Sequence, residues 1–241
     1  KANKKSSREA KEGAIGFFSN KELSIIIQIN TETDFAAKNE VFLNFMEEIG
    51  NKALEAAETN LTIENFNKLK FNGKFVNEMF TDIISKVGEN IVLSKLKVLK
   101  NNDYMISNYI HNSYRSNIGK IAVMLQSKVS NINDEAIIFG KNLCMHIAAS
   151  KPLAMDINKL DLKLVENEKS IQLETIKSSG KPENIIDKIL EGKMKKFYSE
   201  STFLNQAYIL DPEKTISQMV NEFSKKNNFE IVNYNLLVLG Q

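Results

Sequence analysis

The sequence predicts an α+β fold: two related subdomains with small antiparallel sheets covered by helices, plus a protruding antiparallel helical hairpin. Three observations predict it. β-Branched, alternating segments occur in pairs at two places, over 14–29 and over 104–126. Each pair is followed by a segment of helical period, beginning near Asn39 and near Asp134. Residues 160–199 then change texture, with narrow apolar stripes between charged flanks.

Taken in order, 4–12 is polar and helix-compatible, and Gly13 and Gly16 punctuate it. Ser19-Asn20-Lys21 reads as a hairpin turn joining 14–18 to the Ile-rich strand 23–29. Asn39 is placed to cap a helix whose apolar face is Phe42, Phe45, Met46, Ile49 and Ala53. A second helix over 74–87 stops at Gly88, and 91–99 resumes strand character. The order then repeats: strands over 104–110 and 118–126, then a helix from Asp134 through Ile137, Ile138, Leu143, Cys144 and Ile147. This divides the chain into an N-terminal half, 1–103, and a C-terminal half, 104–241.

Within the second half, Leu162, Val165, Leu173 and Ile176 form one thin stripe. Ile185, Ile186, Ile189, Leu190, Met194 and Phe197 form another. Gly180 suits the end of one helix and Pro182 the start of the next. The expected hairpin is inserted at about 157–200, and two arms of roughly 20 residues reach about 30 Å each. A pair standing off the body and a pair packed flat on it fit these residues equally. A short helix over 214–224 follows Pro212, and a last strand runs at about 228–239.

Composition narrows the function. Lys and Arg total 32 against 30 Asp and Glu, a net charge of +2, which argues against a nucleic-acid binder. The basic residues Lys1, Lys4, Lys5, Arg8 and Lys11 are interrupted by Glu9 and Glu12 and read as a solvated face. Cys144 is the sole cysteine, so no internal disulfide or cysteine-based zinc site forms and a reducing compartment is expected. No apolar run approaches the roughly 20 residues of a membrane span. The chain starts at Lys1 rather than methionine, as expected of part of a longer protein.

Enzyme chemistry finds little support. His146 lies in a mainly apolar helical stretch and reads as a packed core histidine, while Cys144 and His146, two apart, face different sides of it. Glycine-rich phosphate loops, H-E-x-x-H and G-x-S-x-G are missing from the sequence, and no cofactor is expected. The most unusual stretch is Thr31-Glu32-Thr33-Asp34-Phe35-Ala36-Ala37-Lys38-Asn39. From residues alone, Asp34 caps a local turn and Phe35 folds back as a hydrophobic staple.

Residues 33–39 of that stretch, with Glu40, resemble the T-D-F-V-A-[KR]-N-E signature of the elongation factor Ts family. Further segments are similar in the family's order. Glu12-Gly13 resembles A-x-E-G, and Lys86-Val87-Gly88-Glu89-Asn90 resembles K-I-G-E-N. Tyr109-Ile110-His111 resembles Y-x-H, and 118–123 resembles [IL]-G-[KR]-x-x-V-L. Residues 145–152 resemble M-H-[IV]-A-A-S-x-P, 180–193 the G-K-P helical pair, and 211–216 D-P-x-K-T-V. Two departures stand out. The family's small N-terminal UBA-like helical domain is expected to be lacking. The stretch between His111 and Gly119 is longer than in many members, in the style of α-proteobacterial and mitochondrial forms.

The resemblance implies a guanine-nucleotide exchange factor that binds elongation factor Tu carrying GDP and speeds GDP release without covalent chemistry. The alternative is a Tu-binding chaperone or scaffold without exchange activity. It implies partner-binding roles for Thr33, Asp34 and Phe35 at an intruding tip, for Val87 and Gly88 beside it, and for His111. It implies no direct nucleic-acid or membrane partner and a bacterial cytoplasmic location, with an organelle matrix as the alternative.

Overall fold

The computed structural model describes residues 8–58 and 60–241. β1 (Glu12–Ser19) and β2 (Leu23–Thr31) form an antiparallel hairpin from Glu12 opposite Thr31 to Ser19 opposite Ser24. Asn20 closes it, its Oδ1 accepting the N–H groups of Glu22 and Leu23 at 2.8 Å each, the local side-chain turn that favours asparagine here. Residues 4–7 of the polar stretch 4–12 lie outside the described residues, and Arg8 to Lys11 form no helix.

The one-turn helix α1 (Asp34–Ala37) leads into α2 (Glu40–Glu55). Asn39 caps α2 by accepting the Val41 N–H at 2.8 Å, and Phe42, Phe45, Met46, Ile49 and Ala53 are all buried, as their helical spacing requires. α3 (Ile63–Asn67) precedes the small hairpin β3 (Lys70–Phe71) and β4 (Lys74–Phe75). α4 (Val76–Val87) therefore starts two residues later than the spacing suggests. It ends at Gly88, which takes the left-handed conformation at φ 88°. β5 (Ile91–Lys100) pairs with β2.

β6 (Met105–His111) follows. The strand expected over 118–126 is two strands, β7 (Ile118–Gly119) and β8 (Ile121–Lys128). β7 pairs with β1 and β8 pairs with β6, so the chain changes sheet at Lys120. One sheet thus has the order β5-β2-β1-β7. α5 (Asp134–Ser150) comes next, its Ala136 N–H received by Asn133 Oδ1 at 2.9 Å.

α6 (Leu162–Ser178) and α7 (Glu183–Ser201) form an antiparallel pair joined across Gly180, at φ 69°, and Pro182. Ile176, Leu190 and Met194 are their buried seam, flanked by Val165, Leu173, Ile186, Ile189 and Phe197. Leu162, expected in that seam, is 78% exposed because it sits at the first position of α6. β9 (Ala207–Tyr208) and β10 (Asp211–Thr215) make a small ribbon that includes Pro212. α8 (Ile216–Asn227) opens with a reciprocal cap between Thr215 and Gln218. β11 (Glu230–Val238) joins β8, completing the sheet β11-β8-β6.

The chain divides into two compact units, one made of residues up to Ala148 with Ile231–Gln241, the other of Ala149–Glu230. This line differs from the division at 103/104 because strands of the second half pair into the first unit. β7 joins β1, and Ala122 and Met124 of β8 share a cluster with Ile15 and Ile26. The larger core of that unit lies between the β1–β2 hairpin and α2 and α4, with Phe42, Phe66, Ile25, Ile27 and Ile29 fully buried.

Candidate functional site

The tip between β2 and α2 is built residue by residue. Thr33 is the cap of α1. Its hydroxyl accepts the Ala36 N–H at 3.2 Å and donates to Glu89 Oε1 at 2.7 Å, while its own N–H donates to Glu89 Oε2 at 3.0 Å. Glu89 directly follows Gly88, so the left-handed turn at the end of α4 delivers a carboxylate to the base of the tip. Glu32 repeats the arrangement in reverse, accepting the Asn90 N–H at 2.6 Å and pairing with Arg8 at 3.6 Å. Two reciprocal carboxylate bonds therefore lock the loop after β2 to the loop after α4. Thr33 and Gly88, singled out separately, are brought together through Glu89. Val87 is partly buried against the core.

Within α1, Ala36 and Ala37 are buried and seat the turn, whereas Phe35 is 89% exposed. Phe35 is not a staple. With Thr33 as the cap, a staple would pair Glu32 with Ala37, and Phe35, second in the helix, points away. The cap is Thr33 rather than Asp34, which leaves the Asp34 side chain for other partners. Lys38 pairs with its Oδ2 at 2.5 Å, and Lys120 with its Oδ1 at 3.2 Å. The Tyr114 hydroxyl donates to Oδ1 at 3.1 Å. Hydrogen bonds from Lys38 and then Lys120 hold the Asp34 carboxyl down at about 2. Burial, followed by the charge of Asp34, pushes the Tyr114 hydroxyl up to about 12.

His111 stands at the end of β6, exposed, its Nδ1 3.1 Å from the Tyr109 hydroxyl. Lys120 links it to the tip: its backbone N–H donates to His111 O at 3.0 Å and its ammonium reaches Asp34. Glu89, Tyr114 and Lys120 were not singled out by sequence reasoning. Glu89 and Lys120 stood inside the segments that carry the resemblance, while Tyr114 lies in the long stretch after His111 and has no local signal.

Other groups of chemical interest are closed or dispersed. Cys144 and His146 are fully buried in α5, and burial pushes the Cys144 thiol well above its usual range. A cleft of about 360 Å³ along β6 is lined by Ser107, Asn108, Tyr109, Ile137 and Lys141, with no carboxylate or histidine among its lining residues. Among the described residues, no three metal-ligating side chains cluster, and no helix is long and apolar enough to cross a membrane.

The fold and the tip together define an α+β protein that presents one bare aromatic ring on a braced turn. The family model described as elongation factor TS matches residues 32–241. An elongation factor Ts of Paracoccus denitrificans is 38% identical over 241 residues, covering all of this chain and 78% of that protein. One of Allorhizobium ampelinum is 34% identical over 245 residues, covering all of this chain and 79% of its own length. A third, of Gluconobacter oxydans, is 33% identical over 240 residues, with all of this chain and 78% of that protein covered. The chain belongs to the elongation factor Ts family, a family of translation elongation factors, and its relatives are mostly α-proteobacterial.

Proposed function

We propose that this chain binds elongation factor Tu, both GDP-bound and nucleotide-free, in the bacterial cytoplasm and promotes release of GDP, itself making and breaking no covalent bond. The observation that carries the reading is Phe35, 89% exposed on a turn whose other side chains are buried or internally bonded. A phenylalanine left in water on a braced turn is stored binding energy: burying it supplies roughly 1.5–3 kcal/mol. The coupling between two ligands of one protein is typically about 1–3 kcal/mol, so one ring is of the right size to drive exchange.

Phe35 enters an apolar pocket between helices of the partner's GTPase domain and shifts the helix that orders the magnesium and phosphate site. GDP is held there by phosphate-loop, metal and base contacts acting together, and loosening one group loosens the set. Thr33, Val87 and Gly88 support the tip, and His111 supplies a second contact. Linkage requires that nucleotide weaken factor binding as much as the factor weakens nucleotide binding, so GTP resets the cycle. Asp34 carries its charge between two ammonium groups, so repulsion of phosphate is a minor part of its effect.

Stopped-flow release of a fluorescent GDP from a cognate elongation factor Tu tests this. Phe35→Ala should slow factor-stimulated release by about tenfold or more with the fold retained. Unchanged release would remove Phe35 from the mechanism. Tight binding of the unaltered chain with no acceleration would identify a scaffold instead.

A further inference from the structure

The proposed exchange reading assigns Phe35 the contact but leaves open what holds the ring in place. We infer that Tyr114 and Lys120 are positioning residues for Phe35, acting through Asp34, so that the Asp34 carboxylate works inside this chain. The inference rests on the exchange reading for its functional consequence and on the geometry for the rest.

A carboxylate offers about four acceptor positions on two oxygens. Three donors of the chain already reach Asp34: the Lys38 ammonium at 2.5 Å, the Tyr114 hydroxyl at 3.1 Å and the Lys120 ammonium at 3.2 Å. Lys38 belongs to the tip itself, but Tyr114 and Lys120 come from the 111–120 stretch, near its start and at its end, and anchor the tip. Tyr114 packs against the main core, and its N–H donates to Ile118 O at 2.8 Å. Arg115 beside it reaches Glu40 at 2.6 Å and Asn44 at 2.7 Å on α2. Asn117 takes the Phe17 N–H on its carbonyl at 2.8 Å. The stretch after His111 is therefore a strap fastened to β1 and α2 that ends on Asp34.

Such a strap has a physical reason. A helix of four residues has no stability of its own and depends on what it is tied to. Glu89 fixes the start of the turn through Thr33, Ala36 and Ala37 seat its inner side, and Tyr114 with Lys120 fixes its outer side through Asp34. Without the outer tie, the ring-bearing turn is competent for only part of the time, and apparent affinity falls by that fraction while the saturated rate is kept.

The experiment compares the unaltered chain with Phe35→Ala, Asp34→Asn, Tyr114→Phe, Lys120→Met and the Asp34→Asn/Tyr114→Phe double variant. GDP release from elongation factor Tu is measured across factor concentrations. Amide hydrogen exchange of Ala37 and Lys38 is measured in the free proteins. Tyr114→Phe should raise the half-saturating concentration roughly three- to tenfold with the plateau rate kept, and the double variant should be no worse than Asp34→Asn alone. Ala37 and Lys38 amides should exchange faster in Tyr114→Phe and Lys120→Met at unchanged melting temperature. Additive effects of Asp34→Asn and Tyr114→Phe, or unaltered amide exchange, would overturn the inference. If Phe35→Ala leaves release unaltered, the exchange reading fails, and the amide exchange still decides whether the strap holds the turn.

Discussion

At the scale of single residues, the five-residue run Thr33-Asp34-Phe35-Ala36-Ala37 assigns each side chain a separate task. Threonine caps, aspartate ties outward, phenylalanine is left bare, and two alanines are small enough to seat the turn on the hairpin. The Asp34 carboxyl, held at about 2 against an ordinary 3.8, sets a pH window. A lowered pKa means the tie is fully present above about pH 4 and is lost as pH falls toward 2. A carbon-13 titration should therefore place the Asp34 midpoint near 2, and Lys120→Met should move it upward; a midpoint at the ordinary value would show the tie unmade. The run was legible in the sequence as a tip, but its cap was not. Local spacing made Asp34 the capping residue and Phe35 a staple, because nothing nearby shows that Tyr114, 80 positions away, and Lys120 compete for the carboxylate.

Among elements, the strands and helices follow from alternation and helical period, and the buried face of α2 was readable position by position. The break at Lys120 was not. Ile118 to Gln126 reads as one strand in the sequence, and only pairing shows that Gly119 lies against β1 while Ile121 lies against His111. Gly119 is what allows the crossing: a Cβ there would sit 2.7 Å from His111 O and 2.6 Å from an Ile110 methyl. Backbone on one side cannot yield cheaply, so Gly119→Ala should cost about 1–3 kcal/mol in a denaturant melt. It should also weaken the Lys120–Asp34 pair. A change within a few tenths of a kcal/mol would show the crossing to be slack. The stripes of α6 and α7 gave the pair's seam, apart from Leu162 and Ile185, which lie in the first turns of the two helices and stay exposed.

For the whole molecule, repetition in the order of elements was legible, but the compact units were not. Which strands hydrogen-bond across the chain is decided by contacts that no periodicity reports, here β7 on β1 and β11 on β8. In the proposed exchange, the larger unit is a rigid mount that turns burial of one ring into loss of a bound diphosphate. The central claim is a coupling, and coupling is measured directly as a ratio of affinities. Titrating elongation factor Tu with the chain, nucleotide-free and then at saturating GDP, should give dissociation constants differing by roughly 5- to 150-fold, tighter without nucleotide. Phe35→Ala should pull that ratio toward one. Equal affinities of the unaltered chain in the two conditions would contradict the account.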